Sequence, residues 1–175
     1  SASKGENMHS TAAAESSEDP RLLSGYPIMR DVAPTTATAV FSTNKRGTVH
    51  WAVTALTDGS LSEEQLMNPT ANSSRILRNG TLNAAASNTE LTARVTGLTR
   101  DGSYYLSALL VDARGRRSPV KVTAFTTPDD TTPAFAAGYP YTILTTDKEN
   151  EQVVQLMAMT TKDCQMYYAL LPNNS

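Results

Sequence analysis

Apolar and polar residues alternate in short runs up to about residue 127, which is the pattern of half-buried β-strands. The alternation predicts neighbouring strands at 36–43 and 48–54, with His50 on the outward face of the second. Val49, Trp51 and Val53 are the inward residues of the second strand, and Ala37, Ala39 and Phe41 share one face of the first. The segment NKRG between them has turn composition and ends in glycine, so we expect the two strands to form an antiparallel hairpin.

Further strands are predicted around this pair. They lie at 21–29, 75–84, 90–98, 103–115 and 119–127. Gly25 and Pro27 interrupt the first of them, which suits a strand at the edge of a sheet. About seven short strands with no sustained helical period predict an all-β domain built as a β-sandwich.

One segment has helical rather than strand character. In LSEEQLM, Ser62 and Gln65 form a capping-box pattern, which predicts one or two helical turns inside a long loop. The longest strand is apolar on both faces, so its outer residues Leu109 and Val111 need cover. The helical turn, a neighbouring module or a partner would each provide it, and a register shift of one residue would exchange the two faces.

The chain also contains an internal repeat. SGYP, which begins at Ser24, returns as AGYP at Ala137, 113 residues later. Features after each copy recur in the same order, and Trp51 then matches Tyr168 at a spacing of 117. A shared order of features over about thirty positions indicates a duplication with a small insertion.

The repeat and the composition divide the chain into segments. We expect a polar flexible tail at 1–19, a complete sandwich at 20–127, a linker at 128–132 and an incomplete second repeat at 133–175. We also expect the natural protein to continue beyond Ser175, or the second repeat to be completed by another chain.

The stretch GLTRDGSYYLSALLVDARGRRSP resembles fibronectin type III domains from the corner before strand F to the turn between strands F and G. Leu98 precedes the corner, and Tyr104 takes the place of the corner tyrosine, whose hydroxyl bonds to the backbone. The sequence NKRGTVHWAV is similar to fibronectin-type repeats in surface proteins of Gram-positive bacteria. The structural signature consists of Gly25, Tyr26, Pro27, Trp51, Leu98 and Tyr104.

This resemblance implies an immunoglobulin-like, fibronectin type III-like β-sandwich with no catalysis of its own. It implies a spacer, adhesion or presentation module of a larger extracellular or cell-surface protein, with neighbouring repeats of the same chain as its first partners. The second copy departs from the pattern. Cys164 replaces the glycine that ends the turn, and Tyr168 replaces the tryptophan.

Composition narrows the class of protein further. The net charge of −2 gives no general attraction to nucleic acid or anionic membranes, and no apolar run approaches the roughly 18 residues of a membrane span. The single cysteine excludes an intramolecular disulfide, and two distant histidines give neither a zinc site nor a catalytic triad. We therefore expect no enzyme activity and no cofactor. Calcium bound by the linker acids Asp129 and Asp130 with Asp112 is a minor hypothesis.

The strongest charge asymmetry is basic. Residues 94–121 contain six basic side chains against two acidic ones. The candidate partner-binding residues are Arg114, Arg116 and Arg117 in the F–G turn, together with Tyr105 and His50. They would bind an anionic glycan or a host surface protein, whereas nucleic acid would need aromatic side chains interleaved with the basic ones. A hydrated turn without a partner is the other interpretation.

The sequence therefore predicts a non-catalytic spacer module that presents other domains away from a cell wall. An adhesion or glycan-binding module is the first alternative, and an accessory domain of a glycan-active enzyme is the second.

Overall fold

The structure is a computed structural model of the 175-residue chain, and it describes residues 17–171. Most of the predicted tail, residues 1–16, and the last four residues lie outside the described part of the chain. The chain divides into two compact units, one ending at Asp129 and the other beginning at Asp130.

The first unit is a two-layer antiparallel sandwich. Its strands are β1 (Ile28–Arg30), β2 (Ala37–Phe41), β3 (Gly47–Ala55), β4 (Ile76–Ala84), β5 (Leu91–Val95), β6 (Ser103–Asp112) and β7 (Lys121–Thr126). One sheet has the order β1-β2-β5 and the other has the order β4-β3-β6-β7. The short helix α1 (Glu63–Met67) lies in the loop after β3, beside 3-10 turns at Leu56–Asp58 and Thr70–Asn72. This architecture confirms the predicted fibronectin type III-like β-sandwich.

Alternate residues of β2, β3 and β6 form one buried cluster between the sheets. The cluster includes the three predicted inward residues of β3 and the face of β2 that carries Ala37, Ala39 and Phe41, and β6 adds Tyr104, Leu106, Ala108 and Leu110. Trp51 lies over Gly80 of β4, where an added Cβ would stand 3.0 Å from the indole ring. Gly80 is therefore the residue that makes room for the largest side chain of the core.

The predicted hairpin between β2 and β3 is wrong. The two strands belong to different sheets, and the NKRG segment carries the chain across from one to the other. Alternation gives each strand an apolar face, but it does not say whether two such faces lie side by side or face each other. Gly47 is needed at this crossing because a Cβ there would overlap the carbonyl oxygen of Val111 in β6.

The predicted first strand at 21–29 is shorter in the structure. Leu22 forms only an isolated bridge with Thr43, and β1 begins at Ile28. Between them, the Tyr26 backbone N–H donates to the Leu23 carbonyl oxygen over 3.1 Å. The Gly-Tyr-Pro sequence thus forms a turn that leads the chain into β1.

Helix α1 covers the outer face of β6, as one of the sequence alternatives predicted. Its capping box is present, with the Gln65 N–H donating to Ser62 Oγ and the Ser62 N–H donating to Gln65 Oε1. Leu66 packs with Leu109 in a second buried cluster, which also contains Ala52 and Leu61, with Val111 packed against it. A buried leucine side chain contributes roughly 1.5–3 kcal/mol, so the helix stabilises the sheet that it covers.

The corner tyrosine takes its predicted place at the start of β6. The Thr99 N–H donates to the Tyr104 hydroxyl oxygen over 2.7 Å, which ties the corner loop to the strand. The ring is buried and stacks on Phe125 of β7, with 5.3 Å between ring centroids. One side chain therefore fills the end of the core and satisfies a loop backbone group.

The second unit contains a single antiparallel pair among its described residues. Strand β8 (Tyr141–Thr146) pairs with β9 (Gln152–Met157), and every residue of both strands is exposed. An isolated pair of strands is marginally stable in water. The apolar side chains of this unit therefore lack the cover that the first unit gives to its own.

We expect Tyr104→Phe to lower the free energy of unfolding of the first unit by about 1 kcal/mol, because it removes the hydrogen bond to Thr99 and keeps the ring. Urea denaturation followed by the fluorescence of Trp51 measures the change. Tyr105→Phe is the matched control, since the Tyr105 hydroxyl is half-exposed and makes no hydrogen bond with the described residues. Equal effects of the two substitutions would contradict the corner role.

Candidate functional site

The turn that follows β6 carries the predicted arginines, and Asp112 organises it. The backbone N–H groups of Arg114 and Arg116 donate to Asp112 Oδ1 over 3.0 and 2.9 Å. The Gly115 N–H also donates to the Asp112 carbonyl oxygen over 2.9 Å. The turn is therefore folded around one carboxylate, which gives a physical reason for the acid at the end of β6.

The Asp112 carboxylate is buried and meets two cations. Lys45 Nζ lies 3.2 Å from Oδ2, and Arg116 Nε donates to the same oxygen over 2.9 Å. Burial by itself would raise the pKa of Asp112, but the hydrogen bonds from the Arg116 backbone, Lys45 and the Arg116 side chain outweigh it. Together they lower that pKa from 3.8 to about 2.

Arg116 also holds the segment that precedes the first strand. Its guanidinium donates to the Glu18 carbonyl oxygen over 3.1 Å and lies 3.5 Å from Asp19 Oδ1. Asn44 Nδ2 donates to the Asp19 carbonyl oxygen over 2.9 Å. Residues 18 and 19 therefore contact the first unit, because their carbonyl oxygens accept hydrogen bonds from Arg116 and Asn44.

Arg117 points to helix α1 instead. One of its nitrogens lies 3.1 Å from Glu63 Oε1 and 3.0 Å from Glu64 Oε1. His50 is half-buried on the same outer face; its burial lowers its pKa, and the positive charge of Arg117 lowers it further. The structure thus brings His50 and Arg117 together, but two acids already pair with the arginine.

The five candidate partner-binding residues do not form one surface. Arg116 pairs with Asp112 and Asp19, and Arg117 pairs with Glu63 and Glu64 of helix α1. The exposed Arg114 side chain forms no ion pair with the described residues. Tyr105 pairs with Thr54, four positions along β3 from His50, which is about 13 Å in a strand. In the described part of the chain, the arginines of the turn therefore do not converge with Tyr105 on one surface.

A second charged cluster joins β1 to the start of β5. Arg30 donates two hydrogen bonds to the Glu90 carboxylate, over 2.7 and 2.6 Å, and the Tyr26 hydroxyl donates to it over 2.6 Å. The Arg30 and Tyr26 bonds lower the pKa of Glu90 to about 2. Sequence reasoning missed this cluster, since 60 residues separate Arg30 from Glu90 and no local motif links them.

The Asp112 carboxylate, which the calcium hypothesis used as a ligand, is already paired with Lys45 and Arg116. Within residues 17–171 no group of three His, Cys, Asp or Glu side chains is arranged to hold a metal ion. Cys164 is exposed and unpaired by any disulfide. No described helix is long and apolar enough to cross a membrane.

We expect the stability of the first unit to fall as the pH drops from about 4 to about 2. Asp112 has a lower pKa in the folded protein than its ordinary value of 3.8, so its contribution is present above that value and is lost as the carboxylate takes up a proton. Glu90 adds to the same fall. Asp112→Asn should flatten the dependence, measured as the urea midpoint against pH, whereas Asp58→Asn at an exposed 3-10 turn should leave it unchanged. Identical slopes for Asp112→Asn and the native chain would contradict this assignment.

No family model matches the sequence, and no curated protein matches it. Among solved structures, the sensor domain of the anti-sigma factor RsgI4 of Pseudobacteroides cellulosolvens aligns with a TM-score of 0.40 at 8% identity, over 63% of this chain and 94% of that one. The third fibronectin III domain of the human KIAA0343 protein aligns with a TM-score of 0.39 at 16% identity, over 76% and 98%. The FN5 domain of Drosophila Lar aligns with a TM-score of 0.33 at 18% identity, over 63% and 95%. Because these scores are below 0.5, the sandwich assignment rests on the strand order and register of the first unit.

Proposed function

We propose that this chain is a non-catalytic structural module that holds other domains of a larger secreted or cell-surface protein at a distance. The observation that carries the proposal is that the second unit repeats the opening contacts of the first. Sandwiches that begin in the same way along one chain are typical of tandem modules, in which each folds alone and the linkers set the reach.

The repeated contacts lie at the entry to each unit. In the first unit they are Leu23 N–H to Ser42 O over 2.9 Å, Thr43 Oγ1 to Lys45 O over 2.8 Å, and the bridge Leu22–Thr43. In the second unit they are Ala136 N–H to Met159 O over 2.9 Å, Thr160 Oγ1 to Lys162 O over 2.9 Å, and the bridge Phe135–Thr160. Leu22 and Leu23 are 113 residues from their counterparts in the second unit. Ser42, Thr43 and Lys45 are 117 residues from theirs, as in the sequence repeat.

The strand pairs follow the same spacing. Ile28 pairs with Val40 in the first unit, and Tyr141 pairs with Met157 in the second. The four extra residues lengthen the second hairpin at its tip, where β8 continues past the counterpart of Arg30 and β9 begins before the counterpart of Ala37, so the register of the shared part is unchanged. These matches support a second sandwich of the same kind that starts near Pro133.

The charged groups of the first unit support a structural role over a binding role. Arg116, Arg117 and Glu90 are used in contacts that fix the turn, helix α1 and strand β1. The segment PDDTTP between the units has the composition of a stiff acidic linker. Adhesion through the F–G turn and service as an accessory domain of a glycan-active enzyme are the alternatives to this proposal.

Deleting residues 131–175 should change the Tm of the first unit by less than about 2 °C, because independent modules do not stabilise each other. Differential scanning calorimetry measures the change. Deleting residues 1–19 is the positive control. It removes the contacts of Glu18 and Asp19 with Arg116, so it should lower the Tm of the first unit. A fall of more than about 5 °C on deleting 131–175 would contradict independent modules.

A screen against anionic glycans and cell-wall polymers tests the adhesion alternative. As a spacer, the full chain should show no binding that falls with added salt, and neither should the Arg114/Arg116/Arg117→Ala variant. Because the triple variant also removes the contacts of Asp112, the single variant Arg114→Ala is included; its side chain is exposed. Salt-sensitive binding by the native chain that both variants lose would replace the spacer proposal with adhesion.

A further inference from the structure

The chain enters the first unit beside one end of β6. The Glu18 carbonyl oxygen accepts two hydrogen bonds there, from Lys45 Nζ and from the Arg116 guanidinium, each over 3.1 Å. Both cations also contact the carboxylate of Asp112, the last residue of β6. We call Lys45, Asp112 and Arg116 the clasp, because together they attach the incoming backbone to the end of this strand.

Asn44 holds the incoming segment next to the clasp. Its Nδ2 donates to the Asp19 carbonyl oxygen over 2.9 Å, and its Oδ1 accepts a hydrogen bond from the Arg21 N–H over 2.9 Å. The Asn44 N–H donates to the Arg21 carbonyl oxygen over 3.1 Å. Backbone groups at positions 18, 19 and 21 are therefore all bound before the chain reaches β1.

The chain leaves the first unit at the opposite end of β6. Thr127 follows β7, and its N–H donates to the Gly102 carbonyl oxygen over 2.9 Å. Its hydroxyl donates to the Thr99 carbonyl oxygen over 2.6 Å. Because Gly102 immediately precedes β6, the entry and the exit are separated by the ten residues of this strand, which span about 30 Å.

This placement determines how tension crosses the unit. A pull on the incoming chain acts on β6 at Asp112, whereas a pull on the outgoing chain acts on β7 from Thr127 in the opposite direction. The two strands are joined by six residue pairs, from Ser103–Thr126 to Ala108–Lys121. Their hydrogen bonds lie perpendicular to the strands, so a pull along the strands loads all six pairs side by side and they share the force.

Without the clasp, the tension takes a weaker route. It then reaches the bridge between Leu22 and Thr43 and the strand β1, which pairs with β2 over only three residue pairs. Three pairs share the force instead of six. The entry segment and β1 therefore separate at a lower force, while the sheet that contains β6 is still intact.

We propose that the first unit is built to carry tension along β6, and that the clasp transfers the load from the incoming chain to this strand. The inference rests on the proposed spacer function, because a chain that holds other domains at a distance is pulled at both ends. Buried ion pairs add little equilibrium stability over apolar packing. The two cations of the clasp, however, bind a backbone carbonyl oxygen that an apolar side chain could not hold.

Force spectroscopy on the full chain in two pulling geometries tests this load path. In the first geometry the handles are attached through Ser17→Cys and Thr132→Cys, so the pull enters through the clasp. In the second, Arg46→Cys replaces Ser17→Cys; the pull then enters at the start of β3, and the entry segment lies outside the loaded part of the chain. Cys164→Ser removes the native thiol in both. The measured quantity is the unfolding rate of the first unit at constant force.

Arg116→Met removes one of the two cations on the Glu18 carbonyl oxygen and keeps an apolar stem. It should raise the unfolding rate about tenfold more in the first geometry than in the second, because a charged hydrogen bond is lost from the loaded path only in the first. Arg117→Met is the matched control. This neighbouring arginine pairs with Glu63 and Glu64 of helix α1, so its loss should change the rates in the two geometries by the same factor.

Asn44→Ala is the second variant. It removes side-chain bonds to Asp19 and Arg21 but leaves Asp112 with its partners, so the fold is retained, and it should also act more strongly in the first geometry. Equal factors in the two geometries for both Arg116→Met and Asn44→Ala would overturn the proposal, because these contacts would then stabilise the fold without carrying load. The calorimetric deletion tests the independence of the modules separately, so such a failure would leave that result standing.

Discussion

Strand β6 is apolar on both faces, and the arrangement of the first unit follows from the need to bury both of them. The inner face, with Leu106 and Leu110, packs across the core against β2 and β5. The outer face has no second sheet, so the loop after β3 folds into helix α1 and places Leu66 on Leu109. The same strand hydrogen-bonds to β3 on one side and β7 on the other, so it is the central element of both the sheet and the core.

The two ends of this strand show how polar groups are fitted to an apolar element. At its start, Tyr104 keeps its ring in the core and its hydroxyl on the Thr99 backbone. At its end, Asp112 is buried but receives hydrogen bonds from Lys45 and from the turn that it organises. The arginines of this turn would suit a binding loop by composition. Because buried or crowded charges need partners, the fold uses Arg116 and Arg117 to satisfy acids instead.

Among its described residues, the second unit contains one strand pair and no strand that follows β9. Its strands β8 and β9 repeat the register of β1 and β2, yet every residue in them is exposed. Tyr168 is exposed while Trp51 is buried, although the two occupy matching places in the repeat. Trp51 packs in the main buried cluster of the first unit, whereas Tyr168 has no comparable cover among the described residues, and side chains of similar character are solvated or buried according to what surrounds them.

The sequence by itself determined the features that depend on neighbouring residues. The alternating faces of β2, β3 and β6 and the capping box of α1 follow from short-range spacing, because side-chain direction in strands and helices repeats with a fixed period. The corner role of Tyr104 followed from the resemblance to fibronectin type III domains. Only the tertiary structure decided which strands share a sheet, so that β2 and β3 face each other rather than pair. It also decided that Arg116 binds Glu18 and that Arg30 binds Glu90. These contacts join residues far apart in the chain, and local periodicity holds no information about which distant groups the packing of two sheets brings together.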